Sequence, residues 1–383
     1  MRLLLFTGKG GVGKTTLAAA TGAALAGRGS KTLVVSTDPA HSLGDAFGTP
    51  LGLEPAEVDS CLHGAQIDTR ALADGSWNRV RAQLRSALVN GAGLDSLAAE
   101  ELTVLPGVDE LLALTEVQRL ADSGPWNTVV VDCGPTAETL RLLALPEAIS
   151  GYLDRMDSWK LRLSGLGKPV QRLAAHLESL RALLTDPERT SVRLVLTPER
   201  VVVAETRRTL TALALRGIRV DGMIANRLIP APGLWRGSAA SWLRTRRRQQ
   251  DDVLAELERS GFGEGMLRSV EHRAAEPVGL PALREIADEL YGGASPLGGT
   301  GANLAPLLQV SRVDGDGGGY ELRVALPLAR DSVVDLARVD DDLAITVDGV
   351  RRLVALPEVL RVCHITDAES DSRGVLVHLR GPE

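Results

Sequence analysis

Cysteine is scarce in this sequence of 383 residues. Its three cysteines, Cys61, Cys133 and Cys363, lie far apart and form no C-x-x-C pair. Cysteines paired at that spacing are the usual sign of a structural zinc site or a redox dithiol. The sequence therefore predicts neither kind of site, and nothing in it indicates a disulfide framework.

Long apolar segments are also missing. No stretch approaches the roughly 18 to 20 consecutive apolar residues that a membrane-spanning helix needs. Met1 and Arg2 lead into the apolar residues 3–6 and then into glycines. This N-terminus is too short for a signal-peptide core and offers no small-residue cleavage site. We therefore expect a cytoplasmic protein that does not span a membrane.

The chain carries little excess charge. Its formal net charge is −6, which gives no general reason to expect binding to nucleic acid or to a membrane surface. Arginines cluster locally at Arg244, Arg246, Arg247 and Arg248. The favoured interpretation is a solvated helix face or loop, and a contact for an acidic partner is the alternative. We expect no nucleic-acid partner.

What the sequence does have is the length and the patterning of a two-domain protein. Short β-type runs alternate with apolar stripes of helical period over about the first 290 residues. The runs are 3–7, 32–36, 128–132, 192–197 and 222–226, and the helical stripes include 16–26, 108–121, 199–216 and 280–291. This alternation predicts an α/β fold with a mainly parallel sheet covered on both faces. Two longer helix-rich insertions, near 70–120 and 147–190, predict a helical subdomain.

A glycine-rich stretch at 292–301, GGASPLGGTG, marks a domain boundary. Beyond it, short β runs are separated by turn residues such as Asp348 and Gly349, which indicates a compact antiparallel sandwich. The predicted runs are 320–326, 332–339, 343–347, 351–356, 360–365 and 375–379. We therefore predict an α/β domain over 1–291, a linker over 292–309 and a small all-β domain over 310–383.

Residues 8–15, GKGGVGKT, fit the P-loop pattern G-x-x-x-x-G-K-[ST] between a predicted strand and a predicted helix. Glycines let consecutive backbone N–H groups point into one concavity, and the helix N-terminus adds partial positive charge there. Lys14 is predicted to reach the β- and γ-phosphates of ATP, or the β-phosphate of ADP, and the Thr15 hydroxyl to be one ligand of Mg²⁺. The predicted nucleotide-binding residues of this segment are Gly8, Lys9, Gly10, Gly11, Val12, Gly13, Lys14, Thr15 and Thr16.

The scarcity of lysine supports this interpretation. The chain has five lysines, and two of them, Lys9 and Lys14, lie inside the loop, whereas arginines are abundant elsewhere. Arginine would serve equally well for surface charge. The two lysines therefore favour a phosphate site over an accidental glycine-rich turn.

Two aspartates follow predicted strands at the sheet edge where ligands bind in open α/β folds. Asp38 comes just after the run at 32–36 and is predicted to orient the water that attacks the γ-phosphate. Asp132 ends the valine-rich run at 128–132 and is predicted to hold a metal-bound water. Both carboxylates are expected to approach Mg²⁺ through water. The alternative for either residue is a carboxylate that caps the next helix.

The loop and three further segments resemble one family, the ArsA-type ATPases of arsenite pumps and of tail-anchored-protein targeting. Residues 36–47, STDPAHSLGDAF, are similar to the family's first switch, and residues 131–143, VDCGPTAETLRLL, are similar to its second. Asn226 with Arg227 is similar to the turn that contacts adenine. The resemblance covers residues 2 to about 290 and implies a P-loop fold with ATPase activity.

The resemblance also implies site roles. Lys9 would cross a homodimer interface and stabilise charge on the partner's nucleotide, as an arginine finger does elsewhere. Together with Lys14 and Asp38 it would form the catalytic set. Asn226 and Pro277 would join the nucleotide-binding residues. His41 would be a hydrogen-bonding residue of the first switch.

The sequence departs from the family at two places. Ala137 and Glu138 stand in the second switch where the family commonly has glycine and histidine. The paired cysteines that bring zinc to the targeting factor's dimer interface are absent, as are the clustered cysteines that bind arsenite. Arsenite transport is therefore disfavoured and stays as an alternative. A slow nucleotide-switch scaffold of the partitioning-ATPase type is a second alternative.

Residues 320–380 resemble the α-crystallin domain of small heat-shock proteins, most clearly at 342–357, DLAITVDGVRRLVALP. An unrelated sandwich used for packing is the alternative. If this tail is a chaperone-like domain, it favours the handling of apolar protein segments. The main hypothesis is a homodimeric ATPase that couples nucleotide-driven closing and opening to a hydrophobic protein or peptide client. A membrane partner is compatible with it.

The insertions supply candidate residues for the client groove. Core packing is the alternative role of such apolar stripes. The candidates are Leu97, Leu102, Val104, Leu105, Tyr152, Leu153, Met156, Trp159, Leu161 and Leu163.

Overall fold

The computed structural model describes twelve parts of the chain. They are residues 1–40, 42–68, 108–134, 136, 168–231, 233, 236–259, 266–297, 308–313, 319–326, 332–371 and 374–381. The chain forms two compact units, Met1–Val192 with Ala275–Pro296 and Arg193–Ala274 with Leu297–Glu383. Among the described helices, none combines the length and the apolar character needed to cross a bilayer.

Helices and strands alternate through the first three quarters of the chain, and strands dominate the rest. The strands are β1 Arg2–Thr7, β2 Thr32–Ser36, β3 Ala56–Asp59, β4 Leu62–Gln66, β5 Thr128–Asp132, β6 Thr190–Leu196, β7 Val220–Leu228, β8 Leu267–Glu271, β9 Leu308–Val313, β10 Gly319–Ala325, β11 Val334–Val339, β12 Asp342–Val347, β13 Val350–Ala355, β14 His364–Asp371 and β15 Gly374–Arg380. The helices are α1 Lys14–Ala26, α2 Ser42–Phe47, α3 Val108–Asp122, α4 Lys168–Thr185, α5 Arg200–Leu215, α6 Ser238–Arg259 and α7 Leu280–Tyr291.

The first unit is built on five strands in the order β3-β4-β2-β5-β1. All neighbours in this set are parallel except β3 and β4. Every residue of β2 and β5 is buried, as expected for parallel strands that are covered on both faces. The predicted α/β class with a mainly parallel sheet is confirmed.

Helix α1 packs closely on this sheet and on α7. The Thr21 hydroxyl and the Tyr291 hydroxyl form a buried hydrogen bond of 2.7 Å, and the Arg28 guanidinium donates to the Gly292 carbonyl at 2.9 Å. Helix α7 is therefore fixed against the helix that begins at the predicted phosphate loop.

The second unit contains parallel strands β7 and β8, helices α5 and α6, and the C-terminal strands. Within it, the Arg193 guanidinium and the Asp221 carboxylate form a buried ion pair at 2.8 Å, with side chains 5% and 1% exposed. Because removing either partner would strand a buried charge, this pair fixes β6 relative to the start of β7.

The C-terminal strands form two antiparallel sheets, in the orders β14-β15-β10-β9 and β11-β12-β13. Alternate residues such as Leu343, Ile345, Val375 and Val377 are buried in one shared apolar core. The predicted all-β sandwich is confirmed. The predicted strand at 360–365 is wrong in its first half, because residues after Pro357 form a 3₁₀ turn at Glu358–Leu360.

Candidate functional site

The glycine-rich loop connects the end of β1 to the start of α1. Gly11 and Gly13 have φ values of 78° and 93°, a region that glycine adopts without the steric cost of a side chain. A Cβ placed on Gly10 or Gly11 would meet no described atom within 4 Å. The loop therefore has glycine at Gly11 and Gly13 for its backbone conformation, and no described atom lies close to Gly10 or Gly11 on the Cβ side.

Lys14 is the first residue of α1 and is 5% exposed. Its ammonium donates to the Lys9 carbonyl at 3.4 Å, across the loop. A buried lysine with one long hydrogen bond keeps donors for an anion. Its position at a helix N-terminus adds the favourable end of the helix dipole.

Asp132 is completely buried at the end of β5. The register places Ser36 of β2 opposite it, and the Ser36 hydroxyl donates to Oδ2 at 3.0 Å. The other carboxylate oxygen, Oδ1, has no hydrogen-bond partner among the described residues. A buried acceptor of this kind is costly unless a further donor or a hydrated cation satisfies it.

Burial raises the pKa of Asp132 to about 6. The hydroxyls of Thr15 and Ser36 and the ammonium of Lys14 act in the opposite direction, whereas the Asp38 carboxylate raises this pKa further. Three groups that were predicted separately from the sequence, Lys14, Thr15 and Asp38, therefore lie within electrostatic reach of Asp132.

Asp38 lies two residues beyond β2 and is half-buried. Its Oδ1 accepts a hydrogen bond from the Ala40 N–H at 2.9 Å, and its own N–H donates to the Ser36 hydroxyl at 3.2 Å. This is a local Asx-type turn and not a helix cap, since α2 begins only at Ser42. The turn holds the carboxylate at the carboxyl edge of the sheet.

Helix α2 connects the loop to the segment before α7. At its first residue, the Ser42 hydroxyl lies 3.1 Å from the Thr15 hydroxyl. Near its end, the Ala46 carbonyl accepts a hydrogen bond from the Gly279 N–H at 2.9 Å, two residues after Pro277. A shift of α2 would therefore change both contacts, the one with the Thr15 hydroxyl and the one with the Gly279 N–H.

Ser36 and Ser42 were not predicted from the sequence as site residues. Both stand inside the switch motif, but their importance depends on hydrogen bonds to Asp132 and Thr15 that only the strand register and the helix start reveal. A serine at the last position of β2 was the one available signal.

The oxygen atoms at this site suit Mg²⁺. The Thr15 hydroxyl and the unsatisfied Asp132 Oδ1 are hard donors, and Mg²⁺ retains several waters and takes few protein ligands. Among the described residues, no cluster of three or more His, Cys, Asp or Glu side chains suits a metal ion. A metal held largely by water and phosphate fits this donor set better than an all-protein cage.

Asn226 lies near the end of β7 in the second unit. Its side-chain oxygen accepts from the Arg227 N–H at 2.9 Å, and Arg227 has a φ of 60°. Gln250 of α6 holds this turn from both sides, accepting from the Ile229 N–H at 2.8 Å and donating to the Arg227 carbonyl at 3.2 Å. Pro277 lies in the first unit. Gln250 is a further structural support that the motif did not indicate.

Several predicted residues lie outside the described part of the chain. These are His41, Ala137, Glu138 and the candidate groove residues Leu97, Leu102, Val104, Leu105, Tyr152, Leu153, Met156, Trp159, Leu161 and Leu163. The three cysteines are described, and none of them is in a disulfide.

Comparisons with known proteins show the family of this chain. A family model described as anion-transporting ATPase matches residues 1–292, and one described as an HSP20-like domain found in ArsA matches residues 317–377. Protein Rv2184c of Mycobacterium tuberculosis is similar at 39% identity over 100% of this chain and 94% of its own length. A Chlorobaculum tepidum protein with the provisional name of an arsenical pump-driving ATPase is 32% identical over 93% of this chain and 90% of its own length. ATPase GET3 of Malassezia globosa is 29% identical over 65% of this chain and 78% of its own length.

Proposed function

This chain belongs to the anion-transporting ATPase family, and from that premise we propose that it couples Mg²⁺-dependent ATP hydrolysis to the switching of a homodimer that binds an apolar client segment. The observation that carries the proposal is that the first switch-like segment contacts both the loop and Asp132 of the second. Ser36 hydrogen-bonds Asp132, and Ser42 lies against Thr15. A change at the phosphates would therefore reach both segments.

The proposed phosphate site is the backbone of residues 8–16. The residues proposed to contact the phosphates, as in the P-loop pattern, are Gly8, Lys9, Gly10, Gly11, Val12, Gly13, Lys14, Thr15 and Thr16. The ammonium of Lys14 would bind the β- and γ-phosphates and neutralise charge that grows in the transition state. Its burial excludes water and strengthens that attraction.

Mg²⁺, when bound, would neutralise phosphate charge. We assign Thr15 as its direct ligand and Asp132 as the residue that accepts a hydrogen bond from a metal-bound water. The unsatisfied Oδ1 of Asp132 supports this assignment. Asp38 is the second carboxylate that would contact the metal's water shell.

Asp38 is also the proposed orienting residue for the attacking water. One of its oxygens is engaged by the Ala40 N–H, which fixes the rotamer and leaves the second oxygen to accept from water. Lys9 is proposed to act on the nucleotide of the partner protomer. Asn226 and Pro277 are proposed to contact adenine.

Client binding is supported by the two parts of the chain together. The resemblance to tail-anchored-protein targeting ATPases and the C-terminal HSP20-like match both favour an apolar protein segment as the client. We propose the domain division 1–291, 292–309 and 310–383, which the two family-model matches support.

The test measures binding of a purified apolar helical peptide to the full chain in three states. The states are without nucleotide, with Mg²⁺–ADP, and with Mg²⁺–ATP in the Asp38→Asn variant, which should hydrolyse ATP too slowly to change state. We expect affinities that differ between the states by about tenfold or more, as for coupling of 1–3 kcal/mol. Lys14→Ala is the matched control and should bind the peptide equally in all three. Equal peptide affinities in the three states, with Lys14 unchanged, would reject the coupling.

The name of the Chlorobaculum relative favours a second candidate, metalloid efflux. That function predicts faster ATP hydrolysis when arsenite or antimonite is added. The three cysteines lie far apart in the sequence, and in the part of the chain that the structure describes no group of three or more His, Cys, Asp or Glu side chains is suited to hold a metal ion. We expect arsenite to leave the hydrolysis rate unchanged.

A further inference from the structure

The second half of helix α5 is covered on all sides. Residues 209–215, TLTALAL, are buried with one exception, Ala214, which is half-buried. Successive helix residues are about 100° apart, so seven of them pass around the axis almost twice. By contrast, Val201 in the first turn is 69% exposed. An ordinary helix on an α/β sheet buries one stripe and leaves the opposite face to water.

Three elements of the same unit contact α5. They are β7, helix α6 and strand β13 of the C-terminal sandwich. Leu215 is completely buried and belongs to the sandwich's own apolar core, together with Leu343, Ile345 and Leu356. Ala214 packs against the same cluster. The core of the sandwich is therefore completed by a side chain from a different part of the chain.

The sequence of α5 changes character at the same point. Arg207 and Arg208 are the last charged residues of the helix, and residues 209–215 contain none. If this part of α5 faced water, its outer side would expose leucine. Its composition therefore suits permanent cover and not occasional contact.

We propose that the last two turns of α5 are a docking site for the C-terminal sandwich, and that this contact, more than the glycine-rich connection, holds the sandwich in place. The sandwich then keeps a fixed position relative to β7 and α6 within the second unit. This docking does not depend on ATP hydrolysis or on client binding.

The test separates docking from tethering in the full chain. A specific protease site is inserted between Leu297 and Leu308, the purified protein is cut, and the fragments are analysed by size-exclusion chromatography. We expect the sandwich fragment to co-elute with the larger fragment. Separation of the two fragments at micromolar concentration would overturn the proposal.

Two variants of Leu215 identify the contact. Leu215→Lys should release the cut sandwich fragment, and Leu215→Ala should weaken its retention on dilution by about tenfold or more. Val201→Lys, a lysine at the exposed start of the same helix, is the matched control and should retain it. If Leu215→Lys fails to fold, Leu215→Ala alone decides. Retention equal to that of the unmodified chain would show that α5 is not the docking site.

Discussion

Asp132 combines complete burial with a carboxylate oxygen that lacks a described partner. Burial raises its pKa from 3.8 to about 6, so in the folded protein without nucleotide or metal the protonated acid predominates up to about pH 6. This contribution to stability is fully present below pH 4 and is lost as the pH rises through 6. The loss amounts to about 3 kcal/mol in the free energy of unfolding.

We therefore predict that Asp132→Asn stabilises the chain in a pH-dependent way. In chelator and without nucleotide, the variant should be more stable than the unmodified protein above pH 6 by up to about 3 kcal/mol, with the difference shrinking toward pH 4. Urea unfolding across this range measures it. A difference that does not vary with pH would contradict the assigned ionisation. The same variant should lose Mg²⁺-dependent nucleotide binding, because the amide cannot replace the charge.

Motif spacing predicted the residues of the loop and both aspartates, but it did not predict their supports. Ser36 and Gln250 act through hydrogen bonds to residues 96 and 21 to 23 positions away. Such partners depend on strand register and on helix packing. No local pattern in the sequence contains that information.

At the scale of the elements, Gly22 decides how closely α1 approaches the sheet. A Cβ at this position would overlap Val34 Cγ2 of β2, and a β-branched valine has little rotameric freedom with which to move away. We predict that Gly22→Ala destabilises the chain by about 1–3 kcal/mol, although alanine favours helix. Denaturant unfolding measures this.

Gly52 provides the control for that substitution. A Cβ there meets no described atom within 4 Å, and its φ is not positive. Gly52→Ala should therefore leave stability unchanged or slightly higher. Equal effects of the two substitutions would mean that the contact between α1 and β2 does not require a glycine.

Element predictions succeeded where burial was continuous. Strands β2 and β5 and helix α7 begin and end at the predicted residues, since every residue of these strands is buried and α7 has a clear apolar stripe. Strands β3, β4, β8 and β9 were missed. Strands β3, β8 and β9 are short and largely polar or exposed, so their pairing is set by neighbours and not by their own pattern. Strand β4, LHGAQ, has three buried residues but no continuous apolar run that would mark it as a strand.

At the scale of the whole molecule, the predicted family and the predicted ATPase class are confirmed by the match over residues 1–292. The HSP20-like match over 317–377 confirms the second resemblance. A family motif identifies the whole fold of the family from a short segment. The motifs therefore predicted the architecture, although the local patterns of β3, β8 and β9 did not predict those strands.

The proposed dimer makes a prediction about mixed protomers. Lys9→Ala and Asp38→Asn should each be almost inactive alone. In a mixed dimer, the site of the Lys9→Ala protomer keeps its Asp38 and receives Lys9 from its partner. Random mixing should therefore restore about a quarter of the normal ATPase rate, because half of the dimers are mixed and each has one complete site.

A steady-state ATPase assay on co-refolded or co-expressed protomers measures this recovery. No recovery would place Lys9 in the same protomer as the nucleotide it serves. Lys31→Ala, which removes a lysine outside the loop, should retain full activity and serves as the control.

Strand β5 lies between β1 and β2 and pairs with both, with Val131 opposite Leu5 on one side and Val35 on the other. During synthesis the ribosome therefore releases strands β1 and β2, with the loop and Asp38, well before strand β5, which pairs with both. Asp132 is synthesised 96 residues after its hydrogen-bond partner Ser36, a delay of several seconds at about 5–20 residues per second. Until β5 has been made, β1 and β2 lack the strand that lies between them. The nucleotide pocket therefore cannot form early in synthesis.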